Sequence, residues 1–265
     1  MRVLLVSLFD EWCLGLRALS AYLKDHGHET HIAYLRGMPE MHDEAGKGDP
    51  NGFHAPPGSV SHADFDALAA LAKDIEPGLI GLSLTSNFFG LAVKTTAVLR
   101  ETCSAPIVWG GIDPTANPDL AVQHADYVCI GEGEGAMLEL VEGIEAERSC
   151  DDIPNLCVLR NGAMHRNDVR PLIQDLDTLP WADFDAGNKS YIHNGQAVRD
   201  GLPDGSYLLE EYPMLSGRGC PYSCTYCCNS MLRDLYGNKA MCANVRCATS
   251  WMRSRTLFVA TQRSA

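Results

Sequence analysis

The chain has 265 residues, 46% of them hydrophobic and 21% charged, with a formal net charge of −13. That length allows one or two domains with a real core, and the acidic excess argues against a broad nucleic-acid footprint while leaving room for a small basic site. The N-terminal apolar run Val3 to Phe9 meets Asp10 and Glu11 at once, which suits a buried strand and neither a signal peptide nor a membrane span; no later run reaches membrane-spanning length.

Residues 1–145 alternate strands and helices. Val3 to Phe9 is continuously apolar, as a strand buried on both faces should be. Gly15 to His26 follows as an amphipathic helix ended by Gly27, and Glu29 to Leu35 is a second strand. Gly37 to Asp66, rich in Gly, Pro, Asp and His, is too long for an ordinary connection and reads as an insertion or active-site loop. A helix over Asp66 to Asp74, a third strand over Leu79 to Thr85 and a helix over Gly90 to Thr102 come next. Pro106 to Gly111 is a fourth strand ending in glycines, Leu120 to His124 a short helix, and Tyr127 to Ile130 a fifth strand. Gly131-Glu132-Gly133-Glu134 leads into a helix reaching about Glu145. This alternation predicts an α/β fold, a doubly wound parallel sheet of flavodoxin-like type, in which ligands lie outside the carboxyl ends of the strands.

Residues 150–212 differ. Leu156 to His165 reads as a hairpin on the Asn161-Gly162 turn, and Ile173 to Asp185 as an extended, proline-broken linker. A further unit starts near Tyr207, with a strand over Pro213 to Ser216 and a glycine turn.

Then comes the most specific segment, Cys220-Pro-Tyr-Ser-Cys224-Thr-Tyr-Cys227. Gaps of three and two residues place three thiolates on one tight loop, able to hold three irons of a four-iron, four-sulfur (4Fe-4S) cluster whose usual complement is four cysteines. One iron is then left open for a small molecule. A zinc site is the alternative, with Cys228, Cys242 and Cys247 as further ligands, although the last two have a four-residue gap. Eleven unevenly spread cysteines without a secretory signal suit a reducing cytoplasm better than a disulfide framework.

With Tyr226 before its third cysteine and Ser216-Gly217-Arg218-Gly219 ahead of it, this loop resembles the signature of radical S-adenosylmethionine enzymes. The resemblance implies that Cys220, Cys224 and Cys227 ligate the cluster, that Tyr226 stands near S-adenosylmethionine, and that the open iron chelates that cofactor, which yields a 5′-deoxyadenosyl radical on one-electron cleavage. It also implies a reductant such as a ferredoxin or flavodoxin and a small-molecule substrate of unknown identity.

The strand ends resemble a second family. Asp10-Glu11-Trp12-Cys13-Leu14-Gly15 follows strand one, Ser83 and Thr85 close strand three, and Gly110-Gly111 closes strand four, with 24 residues separating Thr85 from Gly110. The pattern is similar to the Asp-x-His-x-x-Gly, Ser-x-Leu, Gly-Gly series of cobalamin-binding domains. A hydroxyl and a glycine pair leave a slot where the cofactor's nucleotide tail can lie against backbone. Trp12 stands where that family has its axial histidine, so a bound corrin would lack a histidine on its lower face, and Thr85 stands where it has leucine. Gly131 and Glu132 belong to a stretch similar to cobalamin-dependent members of the radical family. A flavodoxin-like or response-regulator domain without corrin is the alternative. His26, His28, His31, His42, His54 and His62 read as capping or solvated residues. Glu132 and Glu134 read as helix N-terminal charges.

The two resemblances together imply a cobalamin-dependent radical enzyme: a cobalamin-binding domain over 1–147, a hairpin and linker over 148–206, and the start of a partial (β/α) barrel over 207–239. Methyl transfer to an unactivated carbon is the expected chemistry in a full-length form; a radical cyclase or rearrangement enzyme, and a non-catalytic cobalamin-binding module, are the rivals. Such a barrel takes roughly 200 residues, whereas 38 follow Cys227. Ala240 to Ala265 holds four arginines and no Asp or Glu, and reads as a truncation, a shifted reading frame or a natural basic tail.

Overall fold

The computed structural model describes residues 1–8, 11–35, 60–199, 213, 215–237 and 242–244. Asp10, His42, His54, Cys247 and nearly all of the 240–265 tail lie outside the described residues.

Nine strands form one sheet in the order β7-β6-β5-β4-β3-β1-β2-β8-β9. They are β1 (Arg2–Leu8), β2 (Glu29–Leu35), β3 (Leu79–Ser83), β4 (Ile107–Gly110), β5 (Tyr127–Cys129), β6 (Leu156–Arg160), β7 (Ala163–Arg166), β8 (Lys189–His193) and β9 (Gln196–Arg199). β1 through β5 pair in parallel, β2 pairs β8 in parallel, and β6, β7 and β9 add antiparallel flanks. The chain therefore winds out from β1 in both directions, and the gap between β1 and β3 is the point where a ligand crevice opens.

The helices cover both faces. α1 (Leu14–Asp25) and α6 (Glu134–Glu145) lie on one; α2 (His62–Ile75) and α3 (Phe89–Thr102) lie on the other. β1 alternates between them: Val3 and Leu5 pack with Leu16, Leu23, Met137 and Leu140, while Leu4, Val6 and Leu8 pack with Leu68, Leu71, Leu91 and Leu99. A strand with apolar neighbours on both faces needs apolar residues at every position, which is why the run is unbroken.

Several expectations change. α2 begins at His62, not Asp66, because Ser61 and Asp64 form a capping box: Ser61 Oγ accepts from the Asp64 amide at 3.2 Å, and Asp64 Oδ2 accepts from the Ser61 amide at 2.9 Å. The short helix expected at Leu120–His124 is α5 (Pro118–Ala121), opened by Pro118 at its first position, and a further short helix that was not expected, α4 (Ile112–Ala116), precedes it. The stretch read as a proline-broken linker carries a 3-10 turn at Leu176–Thr178 and leads into β8 and β9, which extend the main sheet. Both antiparallel hairpins turn on Asn-Gly with positive φ at each residue: Asn161-Gly162 at 53° and 76°, Asn194-Gly195 at 51° and 72°.

A buried polar clamp ties this segment down. Arg17, 1% exposed, donates to the carbonyls of Glu11 (2.7 Å), Trp12 (2.8 Å) and Asp183 (3.1 Å), and its guanidinium lies 4.4 Å from the Phe184 ring centroid. The Asp183 carboxylate accepts from Ser20 (2.6 Å), Asn188 (2.9 Å) and Lys189 (2.9 Å). Burial alone would raise the Asp183 pKa, but the Ser20 hydrogen bond, the Lys189 charge and the remaining donors outweigh it and hold the group well below the usual carboxylate range. Burial pulls Lys189 down to about 8 against the opposing pull of Asp183, so it keeps its proton at neutral pH.

In the C-terminal unit the strand expected over Pro213–Ser216 is instead β10 (Gly217–Gly219), followed by α7 (Cys228–Leu235); Met214 lies outside the described residues. β10 pairs antiparallel with β11 (Cys242–Asn244), so a strand falls within the tail read as a truncation, a shifted frame or a basic tail, and it runs opposite to a barrel neighbour. Among the described residues no helix is long and apolar enough to cross a membrane.

Candidate functional site

A groove of about 280 Å³ opens where β1, β3 and β4 end, between α1 and α6. Its floor is Leu5, Val108 and Met137, its α1 side Leu16 and Leu19, and its upper rim Ser83, Gly110, Gly111, Gly131 and Glu132. Glycines set its shape. A Cβ on Gly81, at mid-strand, would lie 3.0 Å from Leu5 Cδ2, and one on Gly15 would meet nothing within 4 Å. Gly111 has φ of 103°, and a Cβ there would sit 2.7 Å from the Leu84 carbonyl oxygen, so no other residue fits. Thr115 braces the rim: its hydroxyl donates to the Gly111 carbonyl at 2.7 Å and accepts from the Gly131 amide at 3.1 Å. A slot with an apolar floor and glycine walls suits a flat heterocycle held against backbone, as the nucleotide tail of cobalamin requires.

Six of the sequence-predicted residues meet here: Gly15, Ser83, Gly110, Gly111, Gly131 and Glu132. Trp12, Thr85 and Tyr226 do not line the groove; Thr85 turns its hydroxyl to Asn87, and Tyr226 is 91% exposed. None of the groove's described lining residues is a histidine. Cys129, also in its wall, is no thiolate: burial, helped by the Glu134 charge, pushes its pKa up to about 12.

The cysteine loop follows β10. Cys220 and Cys227 are half-buried and Cys224 exposed; the Cys227 amide donates to the Cys224 carbonyl at 3.2 Å, closing the turn, and Cys227 opens α7 as its N-cap. All ten described cysteines are free thiols. Among the described residues the three sulfurs are not gathered into a metal-holding group. Three free thiols on one solvent-facing turn nevertheless form a donor set that fits an iron–sulfur cluster.

Residues that the sequence reading passed over hold the two sites together. Arg218, on β10, lines the groove and donates to Glu132 Oε1 (3.0 Å) and Glu134 Oε1 (2.5 Å). Asn155, 1% exposed with φ of 71°, donates to the Ile130 carbonyl at 2.7 Å and accepts from the Arg170 amide at 3.0 Å, fixing the segment that runs on to Ile173. An arginine inside the Ser-Gly-Arg-Gly-Cys run and a glycine in the middle of an apolar strand were the available signals; the second marks a close backbone approach.

A B12-binding domain model matches residues 3–141. An uncharacterized methyltransferase of Pyrococcus horikoshii is 26% identical over 178 residues, 66% of this chain and 36% of its own. An anaerobic magnesium-protoporphyrin IX monomethyl ester cyclase of a Synechocystis species is 28% identical over 155 residues, 56% of this chain and 28% of its own. The chain thus spans roughly a third of the length of these curated relatives. The solved structure of OxsB, a cobalamin-dependent S-adenosylmethionine radical enzyme with aqua-cobalamin bound, superposes with a TM-score of 0.59, covering 85% of this chain and 28% of its own at 17% identity, a likeness of fold. The domain match alone takes in more than half of the 265 residues, and the chain belongs to the B12-binding domain family.

Proposed function

We propose that this chain carries the cobalamin groove and the cluster loop of a radical S-adenosylmethionine protein whose chemistry is methyl transfer to an unactivated carbon. The observation that carries this reading is adjacency: the glycine-walled groove and the strand that opens the Cys220–Cys227 loop share Arg218 as a common wall residue. In this reading Gly15, Gly81, Ser83, Gly110 and Gly111 hold the nucleotide tail, and Cys220, Cys224 and Cys227 hold three irons. The cofactors, when bound, supply the radical and methyl chemistry; the protein binds and orients them. Trp12 stands where the cobalamin-binding pattern has its histidine, and none of the groove's described lining residues is a histidine, so these residues would hold the corrin without an imidazole ligand.

Anaerobic reconstitution with iron, sulfide and hydroxocobalamin tests this. The expected product is brown, changes its cluster spectrum on adding S-adenosylmethionine and, after one-electron reduction with titanium(III) citrate, carries cob(II)alamin whose electron paramagnetic resonance spectrum lacks splitting from a protein nitrogen. Corrin without iron would reduce the chain to a cobalamin-binding module. The cyclase relative makes ring formation the competing chemistry, which only substrate turnover in a longer form separates from methyl transfer.

One observation favours a second reading. The β10–β11 ladder sets Cys242 opposite Gly219, beside Cys220. Four thiolates would make a closed structural metal site. Zinc in place of iron, lost in Cys242→Ser, would establish that reading; iron retained in Cys242→Ser removes it.

A further inference from the structure

The Gly131–Glu134 turn is polar, and several of its polar atoms have partners in the C-terminal segment. Glu132 Oε1 takes Arg218 Nη1 at 3.0 Å, Glu132 Oε2 takes the Ile173 amide at 2.7 Å, and the Glu132 amide donates to the Tyr236 hydroxyl at 3.0 Å. Glu134 Oε1 takes Arg218 Nη2 at 2.5 Å. The side chains of Arg218, Glu132 and Glu134 are 23%, 18% and 7% exposed, so water does little to screen them. Gly131 completes the fit: a Cβ there would stand 1.9 Å from the Tyr236 hydroxyl.

The geometry points to this turn as a socket for the cluster-bearing segment, with Arg218 as the positioning residue that sets the cysteine loop beside the groove. Arg218 lies two residues before Cys220, and Tyr236 closes α7 on the far side of the loop, so both ends of residues 218–236 are pinned to one turn. Glu132 and Gly131, which the sequence pattern assigns to cofactor, are spent on docking. A forked guanidinium is needed, because a lysine ammonium cannot serve two carboxylates in the same geometry. The functional consequence rests on the reading of Cys220, Cys224 and Cys227 as cluster ligands; the socket itself does not.

Hydrogen–deuterium exchange on the full chain and on Arg218→Gln, Arg218→Lys and Glu132→Gln tests the inference, together with thiol alkylation rates and a hydroxocobalamin titration. Arg218→Gln and Glu132→Gln are expected to speed exchange over 228–237 and alkylation of Cys220 by about tenfold. Arg218→Lys should recover part of the protection. Exchange in β1, β3 and β4 should not move, which a general loss of folding would not allow. Unchanged exchange over 228–237 in Arg218→Gln overturns the socket. So does a large loss of hydroxocobalamin affinity in Glu132→Gln with exchange unchanged, since Glu132 would then be a cofactor contact. If the unmodified chain takes up no iron while Arg218→Gln still frees 228–237, the cluster reading fails and the socket stands.

Discussion

β1 and α7 are held in place by different physics. Every residue of β1 from Val3 to Leu8 is buried, whereas α7 has no buried residue, and of the described residues from 213 onward Ala243 alone is buried. The sheet is stabilised by apolar area, at about 25 cal/mol for each Å² removed from water, and the force is spread over two core layers. The segment that carries Cys220, Cys224 and Cys227 is stabilised by a few directed contacts at Arg218, Glu132 and Tyr236. The first should tolerate loss of any exposed group. The second should come loose when a single pair is broken, and it is where cofactor binding has most order to add.

The largest effect expected on the sheet comes from its polar clamp and not from its leucines. Asp183→Asn takes away the charge that opposes burial at Lys189, in a site 2% exposed, and removing one partner of a buried pair costs about 3–5 kcal/mol. Denaturant unfolding monitored by circular dichroism measures it; a loss under about 1 kcal/mol would show that the charges Asp183 shares with Lys189 and Lys24 contribute little net stability. The same carboxylate gives an acid limb. Its folded pKa is depressed, so its contribution is complete above the unfolded value of about 4 and is lost as the pH falls below it. Stability of the parent chain should drop through that window, and Asp183→Asn should be the flatter of the two.

Next in size is Gly111→Ala. A positive φ of 103° and a Cβ 2.7 Å from the Leu84 oxygen together cost about 2–3 kcal/mol and narrow the groove rim, so both the melting temperature and hydroxocobalamin affinity should fall. Gly81→Ala separates the two quantities. Alanine is the better strand residue by about 0.5–1 kcal/mol, which offsets the 3.0 Å contact with Leu5, so stability should scarcely move while the new methyl intrudes on the floor and lowers hydroxocobalamin affinity about tenfold. Unchanged affinity in Gly81→Ala would mean that the nucleotide tail lies elsewhere.

The same contrast explains what the sequence could tell. Buried parallel strands announce themselves as apolar runs, so β1 through β5 and the four long helices stood close to where periodicity put them. The groove was legible at Gly15, Ser83, Gly110 and Gly111 because glycines and small hydroxyls after strands leave space. β8 was missed although Asn194-Gly195 carries the same turn chemistry as Asn161-Gly162; Lys189, Ser190 and His193 disguise a strand whose polar side chains find partners in the Asp183 clamp and at His31, 2.9 Å from Ser190. Arg218 was illegible because its role depends on Glu132 and Glu134, more than eighty residues away, and no local pattern records a contact of that range.

Cys220→Ala should have the smallest effect on folding and a complete effect on metal. Cys220 is a half-buried thiol on a turn that contributes no core residue, so unfolding of the sheet should stay within about 0.5 kcal/mol of the parent. Iron uptake is another matter, since under the proposed reading the cluster has three protein ligands and cannot lose one and keep its geometry. The comparison sharpens if Cys228→Ala is run beside it: Cys228 is exposed, lies outside the three-and-two spacing, and should retain iron in full. Iron retained in Cys220→Ala but lost in Cys228→Ala would move the ligand set one position along the loop. Loss of sheet stability in either variant would show that the cluster segment is coupled to the core more tightly than its burial implies.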